Sequence, residues 1–275
     1  MRGLLALAAT VTLVAPALSP ARDVGGPPDE GAASVLGAKI WVGRHAEFEE
    51  FLRTAPIERL VKVGEGVTDP DRAYFAPGGL ATSALVKILP PRRRQGYWES
   101  YKSEIAAYEL DRLLGLDMVP VTVERRINGE RSSVQLWLDD CQLLREAGSA
   151  KPSRPRAWAR QVCRQRVFDA LTANIDRNAG NLLVDGEWNL ILIDHSRAFF
   201  KNEAPFLDEV IQADRQLFEA LKALDEASLT ERVKPWLFGK GSVRDLLERR
   251  DSIVEKLEKL IRDRGELSVF PFEVS

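Results

Sequence analysis

The chain has 275 residues, 45% of them hydrophobic, which is enough to bury the core of one large domain or of two small lobes. Its formal net charge of −2 argues against a nucleic-acid-binding protein, for which a strong basic excess is expected. The two cysteines, Cys141 and Cys163, form no C-x-x-C pair and no Cys/His cluster, which argues against a metal cluster such as a structural zinc site. We expect either one disulfide between them, if the protein is exported, or two separate buried thiols.

The first 21 residues have the pattern of a signal peptide or an N-terminal anchor. Arg2 precedes an uncharged apolar run, and small residues follow in A-x-A-like patterns. An Ala-rich disordered start is the alternative. Residues 22–38 are rich in Gly, Pro and Ala and are predicted to form a linker. If the leader is genuine, the protein is expected to be exported or membrane-anchored, in a periplasmic or secreted location; otherwise it is expected to be cytoplasmic.

Residues 39–138 are predicted to be rich in β-structure. A short strand and helix come first, and alternating apolar residues separated by turn signals then predict strands. The first three strands form an antiparallel meander, and the last two flank an Asn128–Gly129 turn. The predicted strands cover residues 60–63, 72–75, 82–89, 119–126 and 132–138. A helical stripe predicts one helix over residues 98–114, which Gly115 stops.

Residues 139–275 are predicted to be mainly α-helical. Apolar residues at helical spacing predict helices over residues 158–175, 207–225 and 243–264. For the last helix, Ser242 with Asp245 offers an N-terminal cap and Gly265 a stop. The boundary between the two halves is expected near residues 137–142, where a ligand cleft is favoured.

An acid, an amide and a second acid occur at a spacing that points to chemistry. Asp176 precedes Asn181 by five positions, and Asp194 follows thirteen residues after the amide. The intervening residues 182–193 are predicted to form a hairpin with a turn at Asp185-Gly186. Because paired strands lie about 5 Å apart, the two ends of this hairpin would bring Asn181 and Asp194 close together.

This set of side chains matches the needs of phosphoryl transfer. An Asn oxygen and an Asp carboxylate suit Mg²⁺, which takes few protein ligands and completes its shell with phosphate and water. Asp176 is then left to accept or orient a hydroxyl proton. The neighbouring Arg177 is expected to steady either a phosphate or the loop itself. The predicted cofactors are therefore ATP and Mg²⁺, with Mn²⁺ as an alternative ion.

The first half is expected to supply a cation and a cover for the phosphates. Lys87 lies inside an apolar strand and should need a carboxylate partner. Glu104 on the following helix is the expected partner, and Glu109 is the competing one. Gly64-x-Gly66 at a strand end would let backbone N–H groups approach a phosphate.

A compact basic run, Arg92 to Arg94, follows two prolines. We interpret it first as part of a solvated loop. The alternative interpretation is a site that attracts an anionic head group or an acidic peptide.

The motif around Asp176, Asn181 and Asp194 resembles the catalytic and metal-binding loops of the phosphatidylinositol 3-/4-kinase-like group. Residues 104–115 are similar to the αC helix of atypical secretory-pathway kinases of the Golgi casein kinase type. This resemblance implies an α+β, two-lobed protein-kinase-like fold, with a β-rich N-lobe at residues 39–138 and an α-helical C-lobe at residues 139–275.

The resemblance also implies roles for individual residues. It makes Asp176 the catalytic carboxylate, and it makes Lys87 the phosphate-binding lysine with Glu104 as its αC partner. The implied metal ligands are Asn181 and Asp194. The implied phosphate-covering loop contains Gly64, Gly66 and Thr68.

Two departures from the family pattern concern residues next to this motif. Asn178 stands where the family has His, and His195-Ser196 stands where Phe-Gly follows the metal-binding Asp.

The expected activity is an ATP- and Mg²⁺-dependent kinase that phosphorylates a hydroxyl of a protein, lipid or small-molecule acceptor, with no nucleic-acid partner. The alternatives are a nucleotide-binding pseudokinase and a kinase-fold protein that transfers AMP.

Overall fold

The computed structural model describes residues 37–64, 70–200, 204–238 and 242–272, which belong to the second of two units of the chain, residues 35–275. The predicted leader and all but the last two residues of the predicted linker lie outside these ranges. The α-helices of the described residues are α1 (His45–Thr54), α2 (Tyr101–Leu114), α3 (Pro155–Thr172), α4 (Arg215–Ala223), α5 (Glu226–Arg232), α6 (Val243–Arg264) and α7 (Glu266–Val269). The strands are β1 (Ile57–Lys62), β2 (Asp71–Phe75), β3 (Ser83–Lys87), β4 (Arg92–Arg94), β5 (Tyr97–Glu99), β6 (Thr122–Ile127), β7 (Glu130–Leu136), β8 (Cys141–Leu143), β9 (Leu182–Asp185) and β10 (Leu190–Leu192).

A five-stranded antiparallel sheet forms the N-terminal lobe, in the order β1-β2-β3-β7-β6. The predicted meander of the first three strands is confirmed. The predicted hairpin of β6 and β7 is also confirmed, and both turn residues, Asn128 and Gly129, have positive φ (51° and 85°), as a type I′ turn requires. Helices α1 and α2 pack against β6 and β7, and their apolar residues share one core with the sheet.

Helix α2 begins three residues later than the sequence predicts. The Ser100 side chain accepts a hydrogen bond from the Lys102 backbone N–H and caps the helix. Trp98 lies instead in β5, which pairs with β4 through a two-residue turn at Gln95 and Gly96, whose φ values are 49° and 90°. The first interpretation of the arginine run as a loop is therefore wrong, because this turn chemistry closes a hairpin.

The C-terminal lobe contains the helices from α3 onward and a three-stranded sheet in the order β10-β9-β8. Helix α6 has the predicted capping box between Ser242 and Asp245 and ends at Gly265. The helix predicted over residues 207–225 is shorter, because the Asp214 side chain caps α4 at its first turn. Since β7 belongs to the first lobe and β8 to the second, we place the boundary between the lobes at residues 137–140.

Two further observations concern the cysteines and membrane-spanning helices. Cys141 and Cys163 are separate thiols rather than a disulfide. No helix in the described part of the chain is both long and apolar enough to span a bilayer.

Candidate active site

A buried lysine contacts side chains of both lobes. Lys87 Nζ, on β3, lies 2.6 Å from Glu104 Oε1 on α2 and 2.8 Å from Asp194 Oδ1, just after β10. The Lys87 and Glu104 side chains are only 6% and 2% exposed, so each needs the other charge. The structure thus contains the expected contact between Lys87 and Glu104. The competing partner, Glu109, pairs with Arg232 at 2.6 Å instead.

The Lys87 ammonium and the Asp194 carboxylate each stabilise the charged form of the other. Burial would lower the pKa of Lys87, but the carboxylates of Asp194 and Glu104 raise it above its ordinary value. Burial would raise the pKa of Asp194, but the Lys87 ammonium lowers it to about 2. Lys87 and Asp194 are therefore both charged near neutral pH.

The hairpin of β9 and β10 brings Asn181 and Asp194 to the same end. Leu182 pairs with Leu192, and the Ile193 N–H donates to the Asn181 carbonyl at 3.3 Å. The Asn181 side-chain amide donates to the Asp176 carbonyl at 2.8 Å, which turns its oxygen in another direction. The three residues of the acid-amide-acid motif are thus held around one hairpin end.

The other end of this hairpin differs from the predicted turn at Asp185-Gly186. Strand β9 ends at Asp185 and β10 begins at Leu190, so the connection is longer. Asp185 Oδ1 accepts hydrogen bonds from the backbone N–H groups of Glu187 and Asn189 at 3.0 and 2.8 Å. Asp185 therefore organises the turn through its carboxylate.

Arg177 steadies the loop that carries Asp176 and Asn181, the second of the two roles predicted for it. Its Nη1 donates to the carbonyls of Asn181 and Ile193 at 2.5 and 2.9 Å. Its Nε and Nη2 donate to Asp169, and Nη2 also lies 2.9 Å from His195 Nε2. These contacts use all five guanidinium N–H groups, so none is left for a phosphate.

His195, which stands where the family pattern has Phe, is a neutral structural residue. Its ring is fully buried and packs edge-on against Phe168, with centroids 5.9 Å apart. Burial lowers its pKa well below the ordinary value. Because Arg177 only donates, His195 Nε2 must accept and the ring proton lies on Nδ1. The His195 backbone N–H donates to Glu104 Oε2 at 2.9 Å and orients the carboxylate that holds Lys87.

Asp176 contacts an arginine that sequence reasoning did not identify. Arg197 Nη1 donates to Asp176 Oδ2 at 3.1 Å, and Arg197 Nε and Nη2 donate to Glu99 Oε1 at 2.9 and 2.7 Å. Glu99 is fully buried. Burial raises the pKa of Asp176, Arg197 opposes the shift, and the Asp194 and Glu99 carboxylates add to it. The sequence shows a charged residue, Arg197, three positions after Asp194, and this position could have pointed to a role for it. Its partner on β5, Glu99, could not be identified from the sequence.

Comparisons with known proteins bear on the fold of the chain. No protein-family model matches the chain. An alignment 165 residues long is 32% identical to phosphatidylinositol 4-kinase gamma 4 of Oryza sativa subsp. japonica, and it covers 53% of this chain and only 28% of that protein. The Golgi casein kinase with Mn/ADP bound is 16% identical with a TM-score of 0.63, over 82% of this chain and 78% of the other. Hydra Fam20 with sugar is 15% identical with a TM-score of 0.61, over 82% and 91%.

The chain has an atypical-kinase fold. At such low identity, the likeness to the solved structures concerns the fold alone. It confirms the resemblance inferred from residues 104–115 and the predicted two-lobed α+β architecture.

Two cavities lie close to these residues. The first, lined by Leu85, Lys87, Glu104, Ser133 and Gln135, is too small to hold a water molecule. The second is an open cleft of about 240 Å³, lined by residues 139–142 and 184–186, at the end of the β9–β10 hairpin away from Asp194.

The predicted phosphate-covering loop lies largely outside the described residues. Gly66 and Thr68 fall in residues 65–69, which the structure does not describe. Gly64 has a φ of 74°, and a Cβ at this position would meet nothing within 4 Å. The role of this loop therefore stays a prediction.

The oxygens at the hairpin end suit a hard divalent cation. Within the described ranges, neither Asp194 Oδ2 nor Asn181 Oδ1 accepts a hydrogen bond, so both are available as ligands. The same residues include no group of three or more His, Cys, Asp or Glu side chains placed to hold a metal ion. One carboxylate and one amide fit an ion that takes the rest of its shell from phosphate and water.

We expect Arg197→Ala to move the acid limb of the pH–rate profile to higher pH. Arg197 holds the pKa of Asp176 down, so its removal raises that pKa and a higher pH is needed to ionise the carboxylate. The measurement is kcat against pH. The exposed Arg262→Ala variant serves as the control and should keep the wild-type profile. An unchanged acid limb in Arg197→Ala would show that this arginine does not tune Asp176.

Proposed function

We propose that the protein is an ATP-dependent kinase that uses Mg²⁺, or Mn²⁺, and transfers the γ-phosphate to a hydroxyl of a protein, lipid or small-molecule acceptor. The observation that carries the proposal is the buried contact of Lys87 with both Glu104 and Asp194, within an atypical-kinase fold and beside Asp176. A permanently charged lysine at a lobe boundary suits a polyphosphate ligand.

Each residue then has a distinct role. Lys87, fixed by Glu104, pairs with the α- and β-phosphates of ATP. Asp194 and Asn181 would hold the divalent ion, which would neutralise charge on the phosphates when bound. Asp176 accepts the acceptor's hydroxyl proton while the acceptor oxygen bonds to the γ-phosphorus and the bond from that phosphorus to the β,γ-bridging oxygen breaks, leaving ADP.

The electrostatics of the site support this division. Asp176 has a raised pKa but is tethered to Arg197, so it can bind a proton during the reaction without remaining protonated beforehand. Asp194 has a depressed pKa and stays anionic, as a metal ligand must. Asp176 and Asp194 thus have pKa values shifted in opposite directions by their surroundings, which suits them to different roles.

The names of the similar proteins add independent support. The rice relative is called a phosphatidylinositol 4-kinase, and one solved neighbour was crystallised with Mn/ADP bound. We carry over nucleotide and divalent-metal use from these names, and leave the acceptor open between protein, lipid and small molecule. We also propose export or membrane anchoring through residues 1–21.

A labelled-ATP transfer screen tests the proposed function. The purified protein is incubated with Mg²⁺ or Mn²⁺ and with ATP labelled at either the α- or the γ-phosphate, over protein, lipid and sugar acceptors. Transfer of the γ-label, lost in Asp176→Ala, is the expected result. Transfer of the α-label would instead establish AMP transfer. Thermal stabilisation by ATP with no transfer to any acceptor, and equal background in wild type and variant, would establish a pseudokinase.

A further inference from the structure

The hairpin of β4 and β5 carries the arginine run, which the proposed kinase reaction does not use. Antiparallel pairing places Arg93 opposite Trp98 and Arg94 opposite Tyr97. Because directly opposed residues share one face, each of these two arginines lies beside an aromatic ring. Because successive side chains on a strand point to opposite faces, the Arg93–Trp98 pair lies on one face of the short hairpin and the Arg94–Tyr97 pair on the other.

The positive charge of β4 has no acidic partner among the residues that the structure describes. No carboxylate of the described residues forms an ion pair with Arg92, Arg93 or Arg94, and the first two are exposed. The one acid opposite this strand, Glu99, binds Arg197 instead. Three adjacent arginines are thus left to attract an external anion.

Exposed aromatic rings continue this surface on the C-terminal lobe. Trp98 stacks on Phe200 with centroids 6.1 Å apart and meets the edge of Phe238 at 5.7 Å. Tyr97, Trp98 and Phe238 are 48%, 39% and 37% exposed, which is high for rings of this size. We call this the hairpin surface, and its members are Arg92, Arg93, Arg94, Tyr97, Trp98, Phe200 and Phe238.

We propose that the hairpin surface docks the protein on an anionic lipid bilayer. Trp and Tyr rings favour the head-group level of membranes, where an apolar body and a polar edge are both satisfied. The negative potential of an anionic leaflet attracts nearby arginines. The two-residue turn between three-residue strands makes a convex tip. A convex tip can lie against a flat membrane surface, whereas binding a peptide would need a groove that encloses it.

Docking in this way would place the reaction centre next to the bilayer. The Tyr97 ring lies 5.0 Å from the Arg197 guanidinium, which in turn holds Asp176. The surface and the catalytic carboxylate are therefore separated by one side chain. The docking itself needs neither ATP nor phosphate transfer, so its test is independent of the proposed activity.

Co-sedimentation of the full chain with vesicles tests the proposal. We expect binding to phosphatidylcholine–phosphatidylserine vesicles, weaker binding to pure phosphatidylcholine vesicles, and a loss of the difference at high salt. R92A/R93A should weaken partitioning to anionic vesicles by about thirtyfold, since each arginine near such a surface contributes about 1 kcal/mol. The matched control R262A/R264A removes two exposed arginines from the end of α6 and should bind like wild type.

Fluorescence provides a second measurement that does not depend on arginine variants. Brominated lipids in the anionic vesicles should quench part of the tryptophan emission, and Trp98→Phe, which keeps a ring against Phe200, should remove that part. Equal partitioning of R92A/R93A and R262A/R264A would overturn the proposal and assign membrane binding to another segment, such as the leader. Binding to polyglutamate but not to anionic vesicles would also overturn it, in favour of an acidic polypeptide partner.

Discussion

Asp194→Asn is expected to reduce γ-phosphate transfer by about a thousandfold or more, because it removes the one carboxylate available at the predicted metal site. Asn is the informative replacement. Asp194 has a φ of 56°, a left-handed conformation that Asn tolerates and most other residues do not. The variant keeps the shape of the side chain and removes only its charge, so a loss of transfer would report on chemistry.

Two further measurements distinguish this loss from unfolding. The far-UV circular dichroism and the urea midpoint of Asp194→Asn should remain close to wild type, since Lys87 keeps Glu104 as a partner. The control is Asp208→Asn, which removes a fully exposed carboxylate on the second lobe and should leave transfer unchanged. Wild-type turnover in a folded Asp194→Asn protein would remove the basis for the proposed kinase.

Lys87→Met is expected to destabilise the protein by about 3–5 kcal/mol and to abolish transfer. The substitution leaves Glu104 buried without a counter-charge, and an unpaired buried charge costs about this much. The double variant Lys87→Met/Glu104→Gln removes both charges and should regain most of the lost stability while staying inactive. Urea unfolding of the wild type, both single variants and the double variant measures the coupling between the two residues.

The pH dependence of the unfolding free energy of Lys87→Met also tests the ion pair. Burial raises the pKa of Glu104 and the Lys87 ammonium opposes the shift, so losing Lys87 raises that pKa further. A carboxyl whose pKa is higher in the folded state than in the unfolded state favours folding as pH falls. The deficit of Lys87→Met should therefore shrink on acidification. Additive single-variant losses with no pH dependence would contradict a buried ion pair.

Much of the local structure was predictable because its causes lie within a few residues of one another. The capping box of Ser242 and Asp245 and the stop at Gly265 define α6. Positive-φ turn residues at Asn128 and Gly129 define the β6–β7 hairpin. The prediction was wrong at the arginine run, where the Gln95-Gly96 turn was not recognised and the start of α2 was placed too early.

The candidate site was predicted unevenly for the same reason. The spacing of Asp176, Asn181 and Asp194 was visible because a single hairpin connects them. The tether from Arg197 to Glu99 was not, because the two residues are 98 positions apart and belong to different lobes. Arg177 had two open interpretations, and only its complete set of contacts decided between them.

By itself, the order of residues determined helix α6, the β6–β7 and β9–β10 hairpins and the types of side chain available for chemistry, since periodicity, caps and turns act over short separations. The packing of the two lobes decided which charges meet. Lys87 and Asp194 are 107 positions apart, and their contact exists only because β3 and the end of β10 face each other across the lobe boundary. The strength of a long-range ion pair depends on the distance between the charges and on their burial. Both are set by the packing of the lobes, so neither can be predicted from neighbouring residues in the sequence.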